Sequence, residues 1–326
     1  MKRSETILVG VGLGLLAIVA SRIGWAAVFL QLKTAWLAIP ILVGLSLLRL
    51  LLQTHSWRMA LLKEGVTTTF GELVGIRLAS QSMGYLSVLG PALSEPMKIN
   101  LLRNEWNASA RATLVDTGVY WFSSASVGLV GCAAAAIVLG GAQDAASLLA
   151  VAVLFALLLA LLVREKSLLL QLVAVLRKRA PSWLKKGAEL EGEIRSFRRR
   201  HPVAVRWMMF LDLLCQILLL AETAVVLSFA KLPIHISTLL AIEAASRVTK
   251  IVAGWLPARI GADEGGAAAA FAAFGLSPAA GVVLALARRS RDLLWCILGL
   301  SWLAWKSRQA NSGQQSQGVL LACKQS

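Results

Sequence analysis

The sequence predicts an all-α protein: a polytopic bundle of membrane helices, with about six full spans and two re-entrant helical hairpins in an inverted repeat. Three observations lead there. Of the 326 residues 57% are hydrophobic and only 15% are charged, with a mean hydropathy of +0.71, whereas about a quarter of a soluble domain is charged. Long runs carry no charge at all; Ala145 to Val163 is 19 residues long, and about 20 residues of helix cross a bilayer core. Finally, two segments, Phe70 to Asn107 and Ile234 to Gly275, begin as apolar helix, break at Pro and Gly, and resume as a short helix.

The first span is expected over Ile7 to Gly24. Lys2 and Arg3 hold its start in the cytoplasm, and Gly10, Gly12 and Gly14 read as helix-packing residues because no strand precedes them. An uncleaved span fits better than a signal peptide, since further spans follow. The second span, Trp36 to Thr54, ends inside, so the first hairpin dips in from the cytoplasm. Spans three and four, Ala110 to Leu139 and Ala145 to Val163, bring the chain back to residues 164–206. That window holds 12 of the 33 Lys and Arg and 4 of the 17 acids, half of the net +16, and such a loop stays on the cytoplasmic side. Within it, Leu190, Ile194 and Phe197 fit a helix that is either solvated or lying on anionic lipid. The fifth span, Trp207 to Phe229, exits, so the second hairpin dips in from outside. The last, Pro278 to Trp305, returns the C-terminus to the cytoplasm. The membrane domain thus covers 1–308, with repeat halves of about 1–140 and 145–305, and the Gln/Ser/Gly-rich 309–326 is expected to be a disordered tail. A bacterial inner (plasma) membrane is the expected location.

The hairpins resemble each other. Arg77, Gly84, Tyr85 and Leu86 match Arg247, Gly254, Trp255 and Leu256 at a separation of 170, and Glu95 matches Glu264 at 169. Two like units of opposite orientation are the plan of many transporters, whose sites lie near the midplane where broken helices meet. The stretch WLPARIGADEGG, residues 255–266, is then the broken tip of the second hairpin, a backbone tolerated at depth only inside protein or beside a wet cavity.

Charges inside spans mark the candidate site. Arg288, Arg289, Ser290, Arg291 and Asp292 fall mid-way along the last span; facing lipid they would cost on the order of 10 kcal/mol. Arg288 and Asp292, spaced i, i+4, are expected to pair as a structural ion pair, with Gly281 and Ala285 on the same face for close helix packing. Glu243, Arg247 and Lys250 share one face of the approach helix, and Arg259 lies at the hairpin tip. Arginine suits phosphate because its planar fork donates two parallel hydrogen bonds, so Arg247, Lys250, Arg259, Arg288 and Arg291 form a candidate headgroup-binding set. Arg77, Glu95, Asp116 and Glu264 complete it. Glu95 and Glu264 have competing roles: favouring the start of the next helix, pairing with an arginine, or carrying a proton. Arg111 and Glu222 are further intramembrane charges, and Glu222 is not expected to face lipid.

Other chemistry is not indicated. HExxH, CxxC, GxSxG and Walker motifs are absent, so no catalytic residue, metal or cofactor is expected. Cys132, Cys215 and Cys296 read as small buried residues. The positive-inside effect accounts for the basic charge without nucleic acid.

Gly254-Trp255-Leu256-Pro257-x-x-x-Gly261-x-x-Glu264, the Ala-rich helix after it, the arginines near 288, and Gly90-Pro91-x-x-x-Glu95-Pro96-x-Lys98 resemble the lysylphosphatidylglycerol synthase transmembrane, or flippase-like, family. The resemblance covers nearly the whole chain. It departs where the family's Pro-Gly-Gly is here Pro257-Ala258-Arg259 and where Ser94 replaces a common glycine. It implies lipid translocation, with membrane lipids as partners and no attached aminoacyltransferase. Two alternatives stand beside it: an integral-membrane transferase acting on a lipid-linked substrate, with Glu264 or Asp116 as base, and a non-transporting scaffold for lipid-biosynthesis enzymes.

Overall fold

The computed structural model describes residues 37–87, 91–102, 106–140, 192–254, 256 and 259–324. The described residues form helices and the short breaks between them: α1 Ala38–Lys63, α2 Phe70–Leu86, α3 Pro91–Leu102, α4 Trp106–Gly140, α5 192–200, α6 Pro202–Phe229, α7 Ile236–Val252, α8 Ala262–Ala273 and α9 Pro278–Lys324. The expected first and fourth spans, most of the basic loop, and Gly90, Trp255, Pro257 and Ala258 lie outside the described residues. Three described helices, α1, α4 and α6, are long and apolar enough to cross a membrane. Their surfaces carry exposed Leu47, Trp121, Phe210 and Ile217, apolar area that water would penalise and acyl chains would not. This is a helical membrane protein.

Helices stand where the second, third, fifth and last spans are expected, with shifted ends. α1 runs on to Lys63 beyond Thr54, and α6 begins at Pro202, a residue pre-set for the first helical turn. α9 runs from Pro278 to Lys324. Thr69 caps α2, its hydroxyl accepting Glu72 N–H at 3.4 Å.

The helices fall into two similar sets of four, α1–α4 and α6–α9. α2 and α7 have 17 residues each, and α3 and α8 have 12. α1 ends on Gly65 at φ 81° and α6 on Lys231 at φ 55°, left-handed stops separated by 166. α2 and α7 start and end at the same separation. That is about one helical turn less than the 170 of the sequence match. The reason lies in the break: 87–90 in the first set, 253–261 in the second. The matched Gly and aromatic residues straddle this unequal connection, so Arg77 corresponds to Glu243 in helix register, and not to Arg247.

The packing follows the same correspondence. α2 packs on α9 and α7 on α4; α1 packs on α9 and α6 on α4; each set's third helix packs on its second and fourth. Every principal contact between helices of the two sets has its counterpart, and α1 packs on its own equivalent, α6. α1 and α6 run antiparallel. Ala38 and Leu42 at the start of α1 share a core cluster with Val226 and Leu227, while Trp57 and Leu61 share another with Val205 and Met208. Midway, Cys215 lies 3.8 Å from the Arg49 carbonyl, and these two residues are themselves 166 apart. Two glycines allow the crossed contacts: a Cβ at Gly131 would collide with the carbonyl oxygen of Leu240 and with Ala244, and one at Gly299 with the carbonyl of Leu78 and with Ser82.

Candidate functional site

The second break is built by local chemistry. Arg259 adopts φ 48° and Gly261 φ 78°, conformations that reverse the chain and that glycine adopts without cost. Glu264 then sits at the third position of α8, and its Oε2 accepts the Gly261 N–H at 2.9 Å. That bond explains the Gly-x-x-Glu spacing: an N-terminal backbone donor finds a carboxylate one turn on. Oε1 of the same carboxylate faces Arg289 Nη1 at 3.0 Å. Glu264 therefore caps its helix and holds an arginine, two of the roles that sequence left competing.

Beside this break lies a cavity that opens to the outside. Its polar wall comes from Lys250 on α7, Arg259 and Asp263 at the break, and Arg288, Arg289, Arg291 and Asp292 on α9. Tyr85, the end of α2, closes it from the first set, its ring 5.5 Å from the Arg259 guanidinium. Gly281 packs against the backbone of Ala267, seating α9 on α8 as the small-residue face predicts.

Most of these cations are held from behind. Arg288 contacts Glu243 of α7 and lies 3.7 Å from Glu222 of α6; it also donates to the Thr223 hydroxyl at 2.9 Å. Arg291 contacts Glu222 and pairs with Asp292 at 2.8 Å. Arg259 pairs with Asp263 at 3.1 Å. Glu222 has no exposed surface, and Arg49 of α1 approaches it at 3.7 Å. Lys250 differs: it is exposed to the cavity and has no ion-pair partner within 4 Å among the described residues. Six cations (Arg49, Lys250, Arg259, Arg288, Arg289, Arg291) face five carboxylates (Glu222, Glu243, Asp263, Glu264, Asp292), leaving one positive charge. The excess charge lies where arginine guanidiniums, which can donate paired hydrogen bonds, line the cavity.

The predicted residues thus separate into two groups. Lys250, Arg259, Arg288 and Arg291 line the cavity, and Glu264 stands behind it. Arg247 does not join them, although it shares the α7 face; it donates to Gln216 of α6 at 2.6 Å and Ser124 of α4 at 3.2 Å. Arg77, Asp116 and Glu95 form a separate cluster. Arg77 donates to the Gln53 carbonyl at 2.7 Å and lies 3.5 Å from Asp116. Glu95 pairs with Lys98 at 2.8 Å and accepts from Thr117 at 2.9 Å. Arg111 pairs with Glu64.

The expected Arg288–Asp292 ion pair is corrected. Asp292 takes Arg291, while Arg288 turns to Glu222 and Glu243 on neighbouring helices. Spacing on one helix reveals only the intrahelical option, and two buried carboxylates from other helices outcompete it. Sequence reasoning also left Arg289, Asp263 and Tyr85 out of the site. Arg289 and Asp263 stand within its own motifs. The sequence marks Tyr85 only as the repeat's match to Trp255; it lines the cavity because α2 packs on α9.

Comparison with known proteins shows the family. The sequence profile of a family described as the lysylphosphatidylglycerol synthase TM region matches residues 6–299. No curated protein and no solved structure matches the chain.

Proposed function

Because the chain belongs to the lysylphosphatidylglycerol synthase transmembrane-region family, we propose that it is an inner-membrane lipid translocator that holds a phosphate-bearing headgroup in the cavity beside the second break. The observation that carries the reading is Lys250: a cation without an ion-pair partner among the described residues, facing the cavity, beside arginines fixed in place by Glu222, Glu243 and Glu264. Preorganised forks do not have to be ordered when the ligand arrives, which favours binding.

Inversion supports the transport part of this reading. In this reading α1 and α6, which run antiparallel, both cross the membrane, and the two sets are related by a two-fold axis perpendicular to these helices. Such an axis lies in the membrane plane, and the two sets then have opposite orientations, with both breaks entering from opposite faces. Rocking one set against the other would expose the cavity to either side. The crossed contacts of α2 with α9 and α4 with α7 are the surfaces that would slide.

The test uses purified protein in vesicles containing a tail-labelled phospholipid, with a membrane-impermeant reductant added outside. The reading predicts that protein carries label from the inner leaflet outward, and that Lys250→Gln slows this about tenfold, the loss of one charge-assisted hydrogen bond. Equal rates with and without protein would contradict translocation. Appearance of a new lipid species on mass spectrometry would instead indicate a transferase.

A further inference from the structure

Among the described residues, one buried carboxylate faces no cation and has an oxygen without a hydrogen-bond partner. Asp212 lies on α6, a helix long and apolar enough to cross a membrane. It is 2% exposed, its Oδ2 has no hydrogen-bond partner, and no cation lies within 4 Å of it among the described residues. A lone ionised aspartate at that depth is costly, so the group is either neutralised or balanced by an ion.

The charges around it decide between these. Asp116 on α4 and Arg77 on α2 are the charged groups that bear on Asp212. Lys98 and Glu95 on α3 bear in turn on Asp116. Further along α6 the charges of other helices are committed: Arg247 of α7 to Gln216, and Arg49 of α1 with Arg288 and Arg291 of α9 to Glu222. The cluster therefore holds three carboxylates and two cations, and one proton balances it. A metal ion would meet the repulsion of Arg77 and Lys98 and would need several oxygen ligands; a proton needs one. The corresponding position in the other set agrees. Separated by 166, it is Ser46, a neutral side chain whose hydroxyl accepts the Trp295 indole N–H at 3.0 Å.

We propose that Asp212 is a proton-binding site: it carries one proton in this conformation, and loading and unloading of that proton drives the conformational cycle. The second part rests on the translocation reading above. The step balances simply. The carboxylate gains a proton from water at one membrane face and returns it to water at the other, with the proton gradient as the only energy source.

Two measurements test this, and they fail separately. Infrared difference spectra of the purified protein between neutral and strongly alkaline buffer should show the carbonyl band of a protonated carboxylic acid. That band should vanish in Asp212→Asn, which keeps the shape of a neutral aspartate, and persist in Glu72→Gln, a carboxylate outside the cluster that pairs with Lys306. Its absence from the wild-type protein, or its persistence in Asp212→Asn, overturns the proposal whatever the protein transports. In vesicles with the membrane potential clamped, a gradient of about one pH unit should shift the steady-state leaflet distribution of labelled phospholipid about tenfold. Asp212→Asn should abolish the shift while lipid still exchanges without a gradient. An unchanged shift in Asp212→Asn, or wild-type exchange indifferent to the gradient, overturns the coupling and leaves translocation standing. No lipid movement in the wild-type protein refutes the translocation reading, and the infrared band then judges the proton site alone.

Discussion

The two sets of helices use the same scaffold for opposite charges. In the first, Arg77 on the second helix approaches Asp116 on the fourth and donates to the Gln53 carbonyl of the first. In the second, the carboxylate is on the second helix, Glu243, and the arginine on the fourth, Arg288, whose guanidinium lies 3.5 Å from the Leu219 carbonyl. Gln53 and Leu219 are again 166 apart. The first cluster is closed, with Arg77, Lys98 and Asp116 all buried. The second opens on a cavity lined by a lysine that has no ion-pair partner among the described residues. Packing that can accommodate either sign leaves sign and exposure to the sequence. One set thereby keeps its charges inside, and the other presents them.

The largest way to break this comparison is to remove the carboxylate at the heart of the second set. Glu222→Ala leaves Arg288 and Arg291 without their shared partner in a buried site, and truncating one side of a buried ion pair costs about 3–5 kcal/mol. We expect a correspondingly large loss in thermal stability of the detergent-purified protein. A loss below about 1 kcal/mol would show that water satisfies these arginines and that the network is not structural. Next come the crossed contacts. Gly131→Ala and Gly299→Ala each drive a methyl group into a neighbouring backbone carbonyl, an overpacking worth about 1–3 kcal/mol. If the sets are equivalent, the two losses match; a loss at one glycine alone would break the correspondence. Smaller still, Tyr85→Leu removes a cation–π contact worth about 0.5–1 kcal/mol, so melting should barely change. A large shift there would mean that Tyr85 clamps the two sets together. Smallest of all, Lys250→Gln touches no ion pair and should alter stability by less than about 0.5 kcal/mol.

Composition and periodicity made the helical membrane fold legible, because burial in lipid demands apolar helices of a set length. They also located both breaks, since Pro and Gly act locally. Glu264 was legible for the same reason: its bond to Gly261 spans three residues. What escaped depends on contacts between distant parts of the chain. Arg288 and Asp292 look like partners until α6 and α7 supply Glu222 and Glu243. Arg247 and Lys250 share a helix face, yet α4 and α6 take one and the cavity the other. Register failed where the two breaks differ in length, because the matched residues flank an unequal connection.

Lipid binding at Lys250 tests the central claim most directly. Native mass spectrometry of the purified protein, with equal amounts of a phospholipid and the diacylglycerol of the same tails, separates headgroup recognition from apolar adhesion. A phosphate held by the cavity predicts preferential retention of the phospholipid by the wild-type protein, and about a tenfold fall in that preference in Lys250→Gln. Equal retention of both lipids, or a preference untouched by the substitution, would contradict it.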